Sequence, residues 1–171
     1  SQNSKQGLLR NPGAILLVSC YELGHQPLNL AFPLAYLRNA GYTPRAVDTA
    51  VQTLDDEAIE AAQLVAISVP MHTALRLGTQ IADRVRTINP AATLCFYGLY
   101  AWMNADYLLG TYGGHVIGGE FERPLLRLVE ALDEGGDSSA IEGVSTRGHR
   151  VPPSFERVDF PTPERQSLPV M

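Results

Sequence analysis

Nothing in this chain approaches the run of ~20 apolar residues that a membrane helix requires. Its longest apolar stretches, at 14–18 and 64–67, are far shorter, and no membrane association is expected. Cysteine is scarce: Cys20 and Cys95 lie far apart and form no C-x-x-C, which argues against a disulfide framework and for free thiols in a reducing compartment. There is no positive excess, since 13 basic residues stand against 18 acidic ones for a net charge of −5, so nucleic acid is not an expected partner. Residues 1–11 are polar and lack an apolar signal core, so nothing indicates export and a cytoplasmic location is the expectation. Also missing are the glycine-rich turns G-x-G-x-x-G and G-x-x-x-x-G-K-[ST], which speaks against a dinucleotide or P-loop phosphate site.

What is present is the composition of one globular domain with a core: 171 residues, 45% hydrophobic and 18% charged. The short apolar run Ala14-Ile-Leu-Leu-Val18 reads as a strand buried on both faces. After a long loop, the spacing of Leu30-Ala-Phe-Pro-Leu-Ala-Tyr-Leu37 is helical and stops at Asn39-Ala-Gly41. The alternation continues with strand 45–48, helix 55–62, strand 64–69, amphipathic helix 73–88, strand 93–97, helix 104–109, strand 115–117 and helix 123–132. Five such units imply parallel strands with right-handed crossovers and helices on both faces. The expected fold is therefore an α/β, flavodoxin-like, doubly wound (Rossmann-like) parallel sheet of five strands in the order 2-1-3-4-5. Residues 1–13 read as a disordered or tag-like lead and 14–136 as the domain. Within 137–171, a hairpin turning at Arg147-Gly148 precedes a proline-rich stretch, 160–169, with the character of a linker.

Ligands of open α/β sheets bind outside the carboxyl ends of the strands, where the strand order reverses. Four loops qualify, 19–28, 70–73, 98–103 and 118–121, and they hold Cys20, Tyr21, Glu22, His25, Met71, His72, Tyr100, Trp102 and Glu120. A phosphate-accepting receiver is excluded because the strands end on Ser19, Ser68 and Gly118 instead of acidic residues and a lysine. A hydrolase would pair Ser68 or Cys20 with His72 or His25, but no G-x-S-x-G elbow is present, and a small residue ending a buried strand has an ordinary packing role. For zinc, Cys20 and His25 are close in sequence and no second close pair completes a ligand set. Glu120 and Glu122 flank a helix start, where carboxylates are favoured in any case.

From residue 14 to residue 132 the chain resembles the cobalamin-binding domain that precedes the catalytic barrel in a class of radical S-adenosylmethionine enzymes. The segment Gln26-Pro-Leu-Asn-Leu-Ala-Phe-Pro-Leu-Ala-Tyr-Leu-Arg-Asn-Ala-Gly41 is similar to that family's first helix, and Ile117-Gly-Gly-Glu-Phe-Glu122 to its fifth-strand exit. The phrases Cys20-Tyr-Glu-Leu-Gly-His-Gln-Pro27, Pro70-Met-His-Thr73 and Tyr97-Gly-Leu-Tyr-Ala101 resemble a bacterial branch of these enzymes. The resemblance implies a cobalamin module partnered by the radical S-adenosylmethionine domain of the same parent chain. It also implies that S-adenosylmethionine and a 4Fe-4S cluster belong to that other domain, because C-x-x-x-C-x-x-C is absent here. Alone, this domain is not expected to be an enzyme.

By the same resemblance, the cofactor-binding residues are Cys20, Tyr21, Glu22, His25, Ser68, Met71, His72, Gly98, Leu99, Tyr100, Gly118, Gly119 and Glu120, with His72 and His25 as alternative cobalt ligands. The chain departs from the family's motifs, D-x-H-x-x-G, S-x-L and Gly-Gly. Glu22 and His25 stand at another spacing, Ser68-Val-Pro70 replaces the second motif and Gly98-Leu99 the third. Leu99, Tyr100 and Trp102 are expected either to line a ligand pocket or to fill the slot that small residues leave for the cofactor's nucleotide. The alternative function is a degenerate module that has lost cobalamin and serves docking or substrate presentation.

Overall fold

The computed structural model describes residues 7–20 and 28–152. Expectations that fall on 21–27, including those for Tyr21, Glu22 and His25, and on the proline-rich stretch lie outside these residues.

Five parallel strands form the body of the sheet: β1 (Ile15–Ser19), β2 (Arg45–Asp48), β3 (Leu64–Ser68), β4 (Thr93–Tyr97) and β5 (His115–Ile117). β1 and β3 are buried at every position, as the continuous apolar runs require for strands covered on both faces. The helices are α1 (Leu28–Asn39), α2 (Asp56–Ala61), α3 (His72–Ile88), α4 (Leu99–Met103), α5 (Ala105–Tyr112) and α6 (Glu122–Asp133). Asp55 caps α2 by accepting from the Ala58 N–H at 2.8 Å. Side chains from α1 and α6 pack on one face against Ile15, Leu17, Leu64, Ala66, Cys95 and Tyr97. The other face, with Leu16, Val18, Val65, Ile67 and Phe96, is covered by α2 to α5. Burying each of the larger side chains contributes about 1.5–3 kcal/mol. Leu8–Arg10 forms a 3-10 turn whose Leu9 joins the α6 side of the core.

Two expectations are corrected. The sheet has six strands, in the order β2-β1-β3-β4-β5-β6, because β6 (Val144–Ser145) pairs antiparallel with β5. The expected hairpin is thus not a separate appendage: its first arm extends the sheet, and its turn closes through the Thr146–His149 bridge. The second correction concerns 98–103, expected as a loop, where Leu99–Met103 is a helix. Gly98, at φ 116°, turns the chain sharply, and the Val69 carbonyl then accepts the N–H groups of Tyr100 and Ala101 at 3.1 and 3.3 Å. A tertiary contact starts this helix, so local periodicity carried no sign of it.

Candidate functional site

Register brings four polar side chains into one row across the carboxyl ends of the strands. Asp48, Ser19, Ser68 and Tyr97 are consecutive Cα partners on β2, β1, β3 and β4, all directed to the α1 face. The centre of the row, Ser19 beside Ser68, is the switch point at which the strand order reverses. Both serines are fully buried, and among the described residues neither hydroxyl makes a hydrogen bond of full geometry, Ser68 standing close enough to the Tyr97 phenol to interact with it. An unmet buried hydroxyl costs about 1–3 kcal/mol. Their neighbours are otherwise engaged. Asp48 accepts from the Ala50 N–H at 3.0 Å, and the Tyr97 hydroxyl donates to the Asn29 carbonyl at 2.7 Å.

That last bond follows from the sequence. Pro33 lies inside α1 and has no N–H, so the carbonyl four residues earlier, Asn29, lacks its helical donor. Tyr97 supplies it from across the core. The ring, 0% exposed, also packs on Phe121 with centroids 4.7 Å apart. Burial raises the phenol pKa, so it stays a neutral donor.

The remaining expected residues divide by face and depth. Cys20 faces the other side of the sheet, among Val18, Val47 and Val69. Burial, helped by the charge of Asp48, pushes its thiol pKa up to about 12 and keeps it protonated. Met71 and His72 stand exposed at the start of α3, the His72 ring edge-on to Tyr100 at 6.2 Å. Leu99 is 48% exposed and fills no slot, which corrects that alternative for it. Tyr100 and Trp102 are half-buried. Gly98 is pressed against the chain after β3, where a Cβ would sit 2.8 Å from the Val69 carbonyl. Gly118 is covered by Trp102, whose Cβ and Cγ would lie 2.5 and 2.8 Å from a Cβ there, and the indole N–H reaches the Val151 carbonyl at 3.4 Å. Gly119, at φ 68°, and Glu120 follow it, half-buried.

The hydrolase arrangement is not assembled among the described residues: neither Ser68 nor Cys20 is hydrogen-bonded to a histidine. His115 starts β5 at the opposite end of the sheet, bonded to Ser138 at 3.0 Å, and burial lowers its pKa. Also at that opposite end, a groove of about 680 Å³ runs beside β2, lined by Arg38, Arg45 and Glu57 among others. No helix of the described residues is long and apolar enough to cross a membrane. No cluster of three or more metal-ligating side chains occurs among them. Sequence reasoning nominated Ser68 but passed over Ser19 and Tyr97; the signal available for Ser19 was a polar residue ending a fully apolar strand.

No protein-family model matches the chain, and no curated protein does. Among solved structures, it is similar to a radical S-adenosylmethionine methyltransferase, TsrM, from Kitasatospora setae, determined with a tryptophan substrate and the analogue aza-SAM. The TM-score is 0.62 at 19% identity, over 82% of this chain and 30% of that one. A putative pilus assembly-related protein from Burkholderia pseudomallei aligns at a TM-score of 0.49 and 14% identity, over 75% of this chain and 96% of that one. The first likeness shows a shared fold, and the chain spans 30% of the methyltransferase's length.

Proposed function

We propose that this chain is a cofactor-binding module, a divergent relative of the cobalamin-binding domains that accompany radical S-adenosylmethionine enzymes, and that it holds a corrinoid at the carboxyl edge of its sheet. The observation that carries this reading is the pair of buried hydroxyls, Ser19 and Ser68, side by side at the switch point, with no hydrogen bond of full geometry among the described residues. Buried polar groups are almost always paired, so hydroxyls left incompletely satisfied at the address where such folds bind ligands support a ligand there. Bound there, a corrinoid would supply cobalt-centred chemistry. This chain's part is to hold and orient it: Ser19 and Ser68 anchor a polar substituent, Met71 and Leu99 offer apolar contact at the rim, and His72 is the described imidazole nearest to serving cobalt. The likeness to a methyltransferase of the radical class supports the same reading, with the catalytic domain, S-adenosylmethionine and the 4Fe-4S cluster in another part of the parent chain.

The test is an absorbance titration of the purified chain with hydroxocobalamin, followed by desalting. Retained colour and a spectral shift are expected in wild type. In Ser19→Ala/Ser68→Ala, loss of two anchoring hydrogen bonds at about 0.5–1.5 kcal/mol each lowers affinity roughly 5- to 150-fold. No retained corrinoid in wild type sinks the proposal. It would favour the second reading, a docking module without cofactor, for which the seating of Trp102 on Gly118 speaks.

A further inference from the structure

We infer that the open edge of β2 is a docking site for an extended, acidic peptide segment of a partner protein, which joins the sheet there as a further strand. The inference stands apart from the corrinoid reading and uses none of its residues.

The two edges of the sheet are treated differently. β5 is covered by β6, whereas β2 ends the strand order on the other side and pairs with β1 alone. The Thr43 carbonyl accepts the Gly13 N–H and the Thr49 N–H donates to the Ser19 carbonyl, so the odd-numbered residues of this stretch face β1. Backbone groups alternate sides along a strand, and those of Pro44, Ala46 and Asp48 therefore face outward. The turn after β2 occupies Asp48: its N–H donates to the Gln52 side chain, and its carbonyl accepts the Gln52 N–H. Left at the edge among the described residues are the Ala46 N–H and the carbonyls of Ala46 and Pro44, one donor and two acceptors. Such an edge is a template for another strand.

Its surroundings select the occupant. The edge lies in the groove of about 680 Å³, walled by Leu34 and Arg38 from α1 and by Glu57, Ala58 and Ala61 from α2. Recessed between two helices, it admits a single strand more readily than the equally recessed edge of a second copy. Ala46 packs on the α1 face, so a residue set opposite it shares that face and meets Arg38, whose guanidinium has no ion pair among the described residues. On the α2 wall the charges are already matched. Arg45 faces Asp55 at 3.6 Å, and Glu57 lies in the first turn of α2, where the helix dipole favours it. Within this chain, residues 1–6 carry Lys5 and no acidic residue, 21–27 join Cys20 to Leu28 at the carboxyl edge, and Val151 is held by Ser145 of β6, at the other edge of the sheet. The acidic complement to Arg38 therefore comes from a partner.

Fluorescein-labelled hexapeptides of alternating valine and threonine, with Glu, Gln or Lys at the third position, provide the test on the full chain, read by anisotropy at low salt. The Glu peptide should bind about five-fold or more tightly than the Lys peptide, with the Gln peptide between them. Arg38→Glu, at an exposed position, should reverse that order. Ala46→Pro removes the outward N–H, a change that an edge strand tolerates because this group lies outside the ladder, and should weaken all three peptides by about ten-fold or more. Equal affinity for the three peptides, no binding of any of them at millimolar concentration, or unchanged binding by Ala46→Pro would overturn the inference. A wild-type dimer in sedimentation that Ala46→Pro dissociates would overturn it too, by giving the edge to a second copy.

Discussion

Pro33 and Tyr97 are 64 positions apart, yet one side chain answers for the defect of the other. A proline inside a helix leaves a carbonyl without its donor, and here that carbonyl belongs to Asn29, within the core-facing first turn of α1. Tyr97→Phe removes the hydroxyl and this bond with it, so we expect a loss of about 0.5–1.5 kcal/mol in urea unfolding. Pro33→Ala restores a backbone N–H at position 33. In that background the cost of Tyr97→Phe should fall to less than half, a coupling that a double-mutant cycle reads directly. Additive costs would show that the phenol's hydrogen bond and the missing N–H are independent. At this scale the sequence was only partly legible. Ser68 was identifiable as the residue ending a strand at the crevice, but Tyr97 reads as another apolar strand position, because its partner is set by tertiary packing. Leu99, whose size suggested a plug, points outward because the helix it belongs to was not visible in the pattern.

That helix shows what one element owes to its surroundings. α4 has five residues, too few to be stable by propensity, and it is placed by two N–H bonds to the Val69 carbonyl and by Trp102 lying on Gly118. Strands β1 to β5 and the longer helices needed no such help, since their apolar runs and 3.6-residue spacing are local properties, and they were read nearly to the residue. The contrast can be measured on two glycines. Gly118→Ala puts a Cβ inside the Trp102 side chain, so α4 must move outward. Overpacking of this kind costs about 1–3 kcal/mol, and the single tryptophan should emit further to the red as it gains solvent. Gly110, on α5, has nothing within 4 Å of where its Cβ would be, and Gly110→Ala should stabilise by up to about 1 kcal/mol through helix propensity alone. An unchanged melting temperature and emission in Gly118→Ala would mean that Trp102 does not hold α4 against β5.

Over the whole molecule, the doubly wound body was legible because alternating strands and helices leave few ways to fold, whereas the closing of its far edge was not. β6 is two residues long and shows no period, so the sequence offered a hairpin and gave no sign that the hairpin belonged to the sheet. Its attachment comes from side chains after it. Arg147 donates to the carbonyls of Leu109 and Gly110 at 2.7 and 3.0 Å in the last turn of α5, where a cation is favoured and where Leu109 also accepts the Gly113 N–H. Arg150 pairs with Asp106, and Val151 is held by Ser145 and Trp102. These contacts lay β6 along β5, which would otherwise end the sheet as an open edge of unpaired backbone groups. Arg147→Ala should therefore loosen that edge selectively. Hydrogen exchange at Val116, Ile117, Val144 and Ser145 should accelerate, with a global loss of about 1.5–3 kcal/mol for the charged hydrogen bonds removed. β2, at the opposite edge, shares no contact with Arg147 and should keep its wild-type protection relative to the global stability. Uniform acceleration across both edges would instead mean that β6 and β5 open only with the entire domain. Because Trp102 grips the same segment through Val151, acceleration confined to the β5 edge would also place the indole's hold on Gly118 within the unit that opens.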